Sequence, residues 1–260
     1  RGPYNYEVDT ASPISEGLKS DGRLRDPKSR WGGMMRGIET NNFETSNVEY
    51  VEFWMMDPFI YDDNHRGGQM HINLGTVSED VLKDSKMMYE HGLSEDLALL
   101  DSTRWGLAPK TQPITNTFSN DANLRPIQDV GFDGLNDESE SLKYTDFINA
   151  LNIDAAAKAK IIADPSQDNF QHYLSDDYEE ISNIIQRYKN YNNPQGNSPI
   201  LSNNTSNSGT NSPDMEDLNR DNSLNENEAF YQYIIDLYPE MNVDNHPYLV
   251  SVQERDGFTL

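Results

Sequence analysis

The segment 217–228 carries oxygen-bearing side chains at the spacing of a calcium-binding loop. Such a loop surrounds a hard cation with about six to eight oxygens from alternate positions and from a carboxylate at its end. The residues at positions 1, 3, 5, 7, 9 and 12 are Asp217, Asn219, Asp221, Ser223, Asn225 and Glu228. Position 6, where such loops turn through positive φ, is Asn222, which tolerates this conformation well. The pattern predicts a calcium site; the alternative is an acidic, Asn-rich turn.

A second acidic loop covers residues 129–140. Positions 1, 5, 9 and 12 are Asp129, Asp133, Asp137 and Glu140, with glycine at position 6. Position 3 is Gly131, so one side-chain ligand is missing from the pattern. The spacing predicts a weaker second calcium-type loop; a water-filled site or a plain capped turn is the alternative.

Composition limits the classes of partner. The chain has 44 acidic and 20 basic residues and a net charge of -24, which repels nucleic acid and anionic lipid headgroups. It has no cysteine, which excludes disulfides and a thiol nucleophile. No apolar run is long enough for a membrane-spanning helix, so we expect contact with a membrane only through the rest of a longer parent chain.

Residue patterns divide the chain into five segments. We predict an irregular lead-in over 1–46 and a β-sandwich-like segment over 47–143, in which 48–56 is a central strand paired with the alternating segment 69–75. A helical segment follows over 144–190, with helices over 144–152, 154–163 and 177–188. An Asn/Ser-rich linker covers 191–213. The calcium-type loop and a β-hairpin of 229–237 with 248–252 occupy 214–260 and continue beyond it.

The expected fold class is therefore mainly β with a helical insertion: a jelly-roll-like antiparallel β-sandwich with short helices and an acidic calcium-type loop. Jelly-roll sandwiches include glycan-cleaving enzymes, so paired carboxylates need attention. Glu49 and Glu52 are three residues apart, which on a strand places them on opposite faces, whereas a retaining glycosidase needs a pair about 5 Å apart. The chain also lacks a nucleophile elbow, a phosphate loop and histidine pairs with zinc spacing. We expect no catalytic site.

Aromatic and methionine residues suggest a binding surface instead. Trp31, Trp54 and Trp105 could stack on sugars, although packing in a core or against another protein is the commoner role. In the sequence Trp-Gly-Gly-Met-Met, the glycines permit close backbone approach and the apolar side chains need a cover. We predict that Trp31, Met34 and Met35 dock on a partner; the alternative is that they fill the core of their own domain.

Seven segments spread along the chain resemble a known family. They are 1–4 (RGPY), 30–33 (RWGG), 48–59 (VEYVEFWMMDPF), 71–84 (HINLGTVSEDVLKD), 128–136 (QDVGFDGLN), 187–199 (RYKNYNNPQGNSP) and 212–223 (SPDMEDLNRDNS). In this order they resemble the outer-membrane translocon of the type IX secretion system, the SprA or Sov family of cell-surface gliding-motility proteins. The resemblance implies that the chain is an internal excerpt of a giant β-barrel that exports folded proteins and carries large soluble insertions.

The resemblance also implies a location and partners. The segment is expected to be a soluble insertion of an outer-membrane protein, on the extracellular side where calcium is available, with the periplasmic side as the alternative. Its partners would be other barrel and plug components of the secretion system and secreted cargo proteins. Two functions stay open: a structural or gating segment of the translocon, and a carbohydrate-binding β-sandwich module of a bacterial surface adhesin.

Overall fold

The computed structural model describes residues 17–38, 42, 44–61, 64–65, 67–81, 86, 96–103, 105–111, 118–119, 121–181, 183–198, 218, 223–255 and 258–259. The chain forms two compact units, one of residues 1–41 and 78–226 and the other of 42–77 and 227–260. Across the described ranges the elements are short helices and antiparallel sheets of two strands each. None of the helices in these ranges has the length and apolar character needed to cross a membrane.

The helices of the first unit are short, and polar side chains cap several of them at the N-terminus. They are α1 (Arg125–Gln128), α2 (Asp137–Lys143), α3 (Thr145–Ala150), α4 (Ala155–Ala163) and α5 (Ile184–Tyr188). The side chain of Asn136 caps α2 by accepting from the Ser139 N–H at 3.0 Å, and Asp154 caps α4 by accepting from the Ala157 N–H at 2.8 Å. Helix α4 stops at Asp164, next to Pro165, as the sequence predicts.

A small apolar core packs α3 and α4 together. Its buried members are Leu18, Tyr144, Ile148, Leu151 and Ile161, with Leu24, Phe147 and Ile153 at the edge. Leu18 comes from the segment predicted to be irregular, so part of the lead-in belongs to this core. The predicted helices over 144–152 and 154–163 correspond to α3 and α4, and part of the predicted helix over 177–188 is a 3-10 turn (Asp176–Tyr178) followed by α5.

A short sheet of the first unit supports the loop that precedes α2. Strands β2 (Leu100–Ser102) and β3 (Leu107–Pro109) pair antiparallel. Leu100 and Val130 are buried together, and the Leu107 N–H donates to the Asp133 carbonyl at 2.8 Å. A Cβ on Gly106 would collide with that same carbonyl. The backbone of Asp133 is therefore held against this sheet.

The second unit contains the longest strands. β1 (Gly68–Thr76) pairs antiparallel with β4 (Ala229–Leu237), in a register that runs from Gly68 opposite Leu237 to Thr76 opposite Ala229. β5 (Glu254–Arg255) pairs with β6 (Phe258–Thr259). Both long strands were expected from their residue patterns, at 69–75 and 229–237. Their partners were not, because the sequence analysis paired each with a nearer segment.

Two expectations about strands are wrong for the described residues, because 48–56 and 248–252 lie in no strand. The described sheets have two strands each, so the jelly-roll sandwich stays a prediction. The physical reason is that β-type residues form a strand only where a second segment supplies backbone partners, and β4 is paired with β1 instead. Tyr50 and Trp54 are accordingly 84% and 71% exposed. Glu49 and Glu52 are exposed too, so the argument from opposite strand faces does not apply.

Candidate metal centre

Five carboxylates converge where the loop before α2 meets the loop after α4. Asp133 precedes α2, while Asp137 and Glu140 belong to its first turn, where a helix favours negative charge. Asp164 ends α4 and Asp168 follows four residues later. Helix caps and the core of α3 and α4 thus position these side chains.

Glu140 lies at the centre of two overlapping groups of carboxylates. One oxygen each from Asp133, Glu140 and Asp168 lie within 4.8 Å of one another, and the same holds for Asp137, Glu140 and Asp164. The first group is buried: Asp133 is 4% exposed, Glu140 0% and Asp168 5%. Carboxylates in such a dry cluster interact much more strongly than they would in water.

Hydrogen bonds hold Asp133 in place. Its Oδ1 accepts from the Leu135 N–H at 3.0 Å, and its Oδ2 accepts from the Ser166 hydroxyl at 2.6 Å. The Tyr144 hydroxyl, which bonds to the Trp105 carbonyl, lies 3.4 Å from the same Oδ2. Asp133 is therefore oriented by donors from both sides of the cluster.

Glu140 and Asp168 are only partly satisfied. Glu140 Oε2 accepts from the Ser166 N–H at 3.0 Å. Its Oε1 and Asp168 Oδ1 are buried and have no hydrogen-bond partner among the described residues. A buried polar atom without a partner costs roughly 1–3 kcal/mol, and more when it is charged. Both oxygens remain available to a positively charged ligand.

In the second group, Asp137 and Asp164 accept hydrogen bonds from amide N–H donors. Asp137 accepts from the Asn169 Nδ2 at both carboxylate oxygens, at 3.1 and 3.0 Å. Asp164 Oδ1 accepts from the Asp168 N–H at 3.1 Å. These contacts fix one residue of each loop relative to the other, so the geometry of the cluster does not rest on exposed, flexible side chains.

The cluster has no neutralising cation from the described part of the chain. The ion pairs among the described residues join Asp21 to Arg23 and Asp101 to Lys86, and neither pair includes a residue of the cluster. Burial raises the pKa of Glu140 to about 8, with repulsion from Asp133 adding to it. Burial likewise raises the pKa of Asp133 to about 6. The pKa values of Asp164 and Asp168 are also raised, in both cases first by burial and then by neighbouring acids.

Asp129, predicted as the first ligand of this loop, lies outside the cluster. Its Oδ2 accepts from the Ser198 N–H at 2.9 Å. Its negative charge favours the protonated form of Arg125, whose pKa burial lowers. Arg125 also donates to the Ser198 carbonyl at 2.6 Å and stacks 4.2 Å from the centroid of Phe118. Asp129 is therefore paired with a different part of the structure.

Asp164 and Asp168 were not predicted as site residues. In the sequence, Asp164-Pro165 indicates only the end of a helix. Position 3 of the acidic loop 129–140 is Gly131, which offers no side-chain ligand. In the structure a Cβ at Gly131 would fall against Oδ2 of Asp168, which occupies that space. The available signal was the second pair of acids at a four-residue spacing immediately after a predicted helix.

Five of the twelve residues of the predicted calcium loop over 217–228, namely 217 and 219–222, lie outside the described residues. Asp217, Asn219 and Asp221 are among those not described; Ser223, Asn225 and Glu228 are, and all three are at least partly accessible. The buried Glu79 accepts from the Leu218 N–H at 2.9 Å. It also accepts from the backbone and side-chain N–H groups of Asn225 at 3.0 and 3.1 Å. Glu79 thus holds Leu218 and Asn225 against one side chain.

The predicted docking residues are not buried in a core. Trp31 is 90% exposed and Met34 59% exposed, and Met35 is half-buried. Trp54 is exposed as well, whereas Trp105 is half-buried beside the acidic cluster. The alternative in which Trp31 and Met34 fill their own core does not hold in this structure.

The molecule described so far is a chain of short helices and small antiparallel sheets that encloses a cluster of acids suited to a hard cation. A family model for SprA_N, described as "Motility related/secretion protein", matches residues 143–255. The match supports the resemblance to the SprA family of the type IX secretion system over this part of the chain. No curated protein matches the chain.

Proposed function

We propose that this chain is a structural segment of a type IX outer-membrane translocon, outside the pore wall, with a role in gating or in holding partner proteins. The family match over 143–255 is the observation that carries the proposal. It covers α3, α4 and α5 together with β4, and therefore includes both Asp164 and Asp168. The matched part thus contains three of the described helices and the long strand β4, whereas β1, β2, β3 and α1 lie outside it.

Exposed apolar side chains support a docking role. Trp31, Tyr50, Trp54, Tyr231 and Val250 are each more than two-thirds exposed. Large apolar groups in water favour association with another protein surface. The partners proposed here are barrel and plug components of the secretion system and passing cargo. The net charge of -24 argues against nucleic acid and anionic lipid as the surface that covers them.

We place the segment on the extracellular side of the outer membrane. The reason is chemical: an acidic cluster of oxygen ligands suits a compartment in which calcium is abundant. We also propose that the segment has no catalytic activity, since its sequence contains no nucleophile elbow, no phosphate loop and no histidine pair at zinc spacing.

The alternative is a carbohydrate-binding module of a bacterial surface adhesin. Exposed Trp31 and Trp54 favour it, since aromatic rings stack on sugars. The sandwich that it presumes has less support, because the described strands form sheets of two strands each. A glycan screen separates the two: specific binding lost on Trp31→Ala or Trp54→Ala would favour the adhesin.

The translocon proposal is tested in cells that secrete through the type IX system. A photo-reactive residue placed at Trp31 of the parent chain should cross-link to an outer-membrane partner, and Trp31→Ser with Met34→Ser should reduce cargo secretion and gliding. Leu142→Ser is the matched control, because Leu142 is 73% exposed on α2 in a different part of the first unit. The amount of parent chain in the outer membrane must stay equal. Normal secretion after removal of residues 143–255 would overturn the proposal.

A further inference from the structure

We propose that Asp133, Glu140 and Asp168 bind a calcium ion, with Asp137 and Asp164 completing the site on the other side of Glu140. The inference concerns the chemistry of this cluster and does not rest on the role in secretion. It replaces the ligand set expected from the loop 129–140 alone: Asp129 is left out, and two acids from the loop after α4 are added.

The first argument is electrostatic. Five acids lie in one region, three of them buried and two half-buried, and the described residues place no lysine, arginine or histidine in an ion pair with any of them. Like charges at such short distances repel strongly in a medium of low dielectric constant. Buried charges are therefore normally paired with an opposite charge or bound to a metal ion. Either protons or a cation must therefore neutralise the cluster in the folded protein.

The second argument is independent of charge and concerns hydrogen bonds. Glu140 is fully buried and Asp168 nearly so, yet Oε1 of the first and Oδ1 of the second lack a donor in the described structure. Asp133, Asp137, Asp164 and the second oxygen of Glu140 do accept from donors, on Ser166, Leu135, Asn169 and the Asp168 backbone. The two oxygens without donors belong to two of the three residues that each place one oxygen within 4.8 Å of the others. A cation seated there would satisfy both.

The donor set selects calcium among biological cations. All five side chains present carboxylate oxygen, which excludes a site built for zinc or copper, whose usual ligands include imidazole or thiolate. Magnesium usually keeps several of its waters and demands near-octahedral geometry. Calcium accepts about six to eight oxygens in irregular arrangements, with carboxylates binding through one or both atoms. A buried group rich in carboxylates leaves little room for retained water.

The ion would join two loops that are far apart in the sequence. Asp133 lies before α2 and Glu140 in its first turn, whereas Asp168 lies after α4. The hydrogen bond from the Ser166 N–H to Glu140 already joins residues 26 positions apart. An ion bound by both loops would hold together the two ends of the segment that contains α2, α3 and α4. Because the unfolded chain cannot offer this geometry, calcium should stabilise the folded state by mass action.

The test is isothermal titration calorimetry. Divalent ions are first removed from the intact chain with a chelator, and calcium is then titrated into the protein. Glu140→Gln and Asp168→Asn should each weaken binding at this site by at least about 10–100-fold, the loss that follows even when only an outer-shell partner of a metal ligand is changed. Glu138→Gln should bind like the wild type, because Glu138 is an exposed acid on the same turn of α2. Tighter binding of magnesium than of calcium would overturn the proposal.

Thermal unfolding separates a ligand from a merely structural acid. In chelator, Glu140→Gln should melt at the same temperature as the wild type or higher, because the amide keeps an acceptor for the Ser166 N–H and is uncharged whether or not the carboxyl it replaces holds a proton. In excess calcium the order should reverse. A variant that is destabilised equally in both conditions, or wild-type melting that is the same in calcium and in chelator, would show that protons neutralise the cluster and that no ion binds.

Discussion

The backbone of Gly131 lies directly against the carboxylate of Asp168. A Cβ at Gly131 would approach Oδ2 of Asp168 to well under 3.0 Å, a separation that real Cβ atoms essentially never show. Gly131 also has a φ of 82°, in the left-handed region. The acidic loop therefore has no side chain at its third position because an oxygen from a distant segment fills the space.

Gly131→Ala should destabilise the protein and weaken calcium binding. The substitution adds left-handed strain of about 1–2 kcal/mol and pushes Asp168 away from Glu140. Gly196→Ala is the matched control, because Gly196 has a φ of 78° and nothing within 4 Å of its added Cβ. Urea unfolding should show a larger loss for Gly131→Ala than for Gly196→Ala. Equal losses would mean that strain alone matters and that the contact with Asp168 does not.

Ser166→Ala should cost about 1–3 kcal/mol of unfolding free energy in chelator. Its hydroxyl donates to Asp133 at 2.6 Å inside the cluster, so its loss leaves a buried acceptor without a partner. Ser141→Ala removes a hydroxyl that donates to the Ile162 carbonyl at an exposed position, and its effect should stay within ~0.5 kcal/mol. Chemical denaturation of both variants in chelator measures the difference. A loss for Ser166→Ala no greater than that for Ser141→Ala would contradict the role of this hydrogen bond.

Local patterns predicted the elements far better than their partners. The alternation at 69–75 and the β-type run at 229–237 correspond to β1 and β4, and the proline after Asp164 marks the end of α4. Pairing depends on contacts between segments more than 150 residues apart, such as the hydrogen bond between Gln69 and Asp236. No local spacing encodes that choice, which is why 48–56 was assigned as a partner of β1.

The candidate site follows the same rule. Asp133, Asp137 and Glu140 could be found because one loop supplies them at a recognisable spacing. Asp129 fits that spacing equally well, but the structure turns it towards Ser198. Asp164 and Asp168 reach the cluster only because α3 and α4 pack on a core that returns the chain to α2. A pattern confined to twelve residues contains no information on that return.

Without calcium, the wild type should lose stability as the pH rises from about 5 to about 8, relative to Glu140→Gln. The folded-state pKa of Glu140 is raised from 4.5 to about 8. Between these values the folded state binds more protons than the unfolded state, so its stability is fully present at low pH and is lost as the pH rises. One pKa unit corresponds to ~1.4 kcal/mol, so the relative loss should exceed about 1 kcal/mol.

The measurement is urea unfolding of both proteins in chelator at several pH values. Comparison with Glu140→Gln cancels the titration of the other carboxyls, including Asp101, whose pKa a hydrogen bond from Lys86 lowers. Saturating calcium should abolish the relative loss, because the ion takes the place of the proton. A wild type whose stability relative to the variant does not change with pH in chelator would contradict the buried, unpaired state of Glu140.

The loop 217–228 should give a second, separate response to calcium. The predicted ligands Asp217, Asn219 and Asp221 lie outside the described residues, but Glu79 holds the backbone at Leu218 and at Asn225, on either side of the positions of Asn219 and Asp221. The side-chain amide of Asn225 donates to Glu79, which leaves its carbonyl oxygen as the group that can face an ion.

This response is measured in the Glu140→Gln background, where the buried cluster no longer contributes. Calcium should still raise the melting temperature, since an ion at about 100 times its dissociation constant adds ~2.7 kcal/mol. Adding Glu228→Gln, which changes the predicted carboxylate at position 12, should remove most of that rise. Glu226→Gln should leave it intact, because Glu226 is equally exposed but is off the ligand positions. If the two variants respond alike, the segment is an acidic turn and the buried cluster accounts for all calcium binding by this chain.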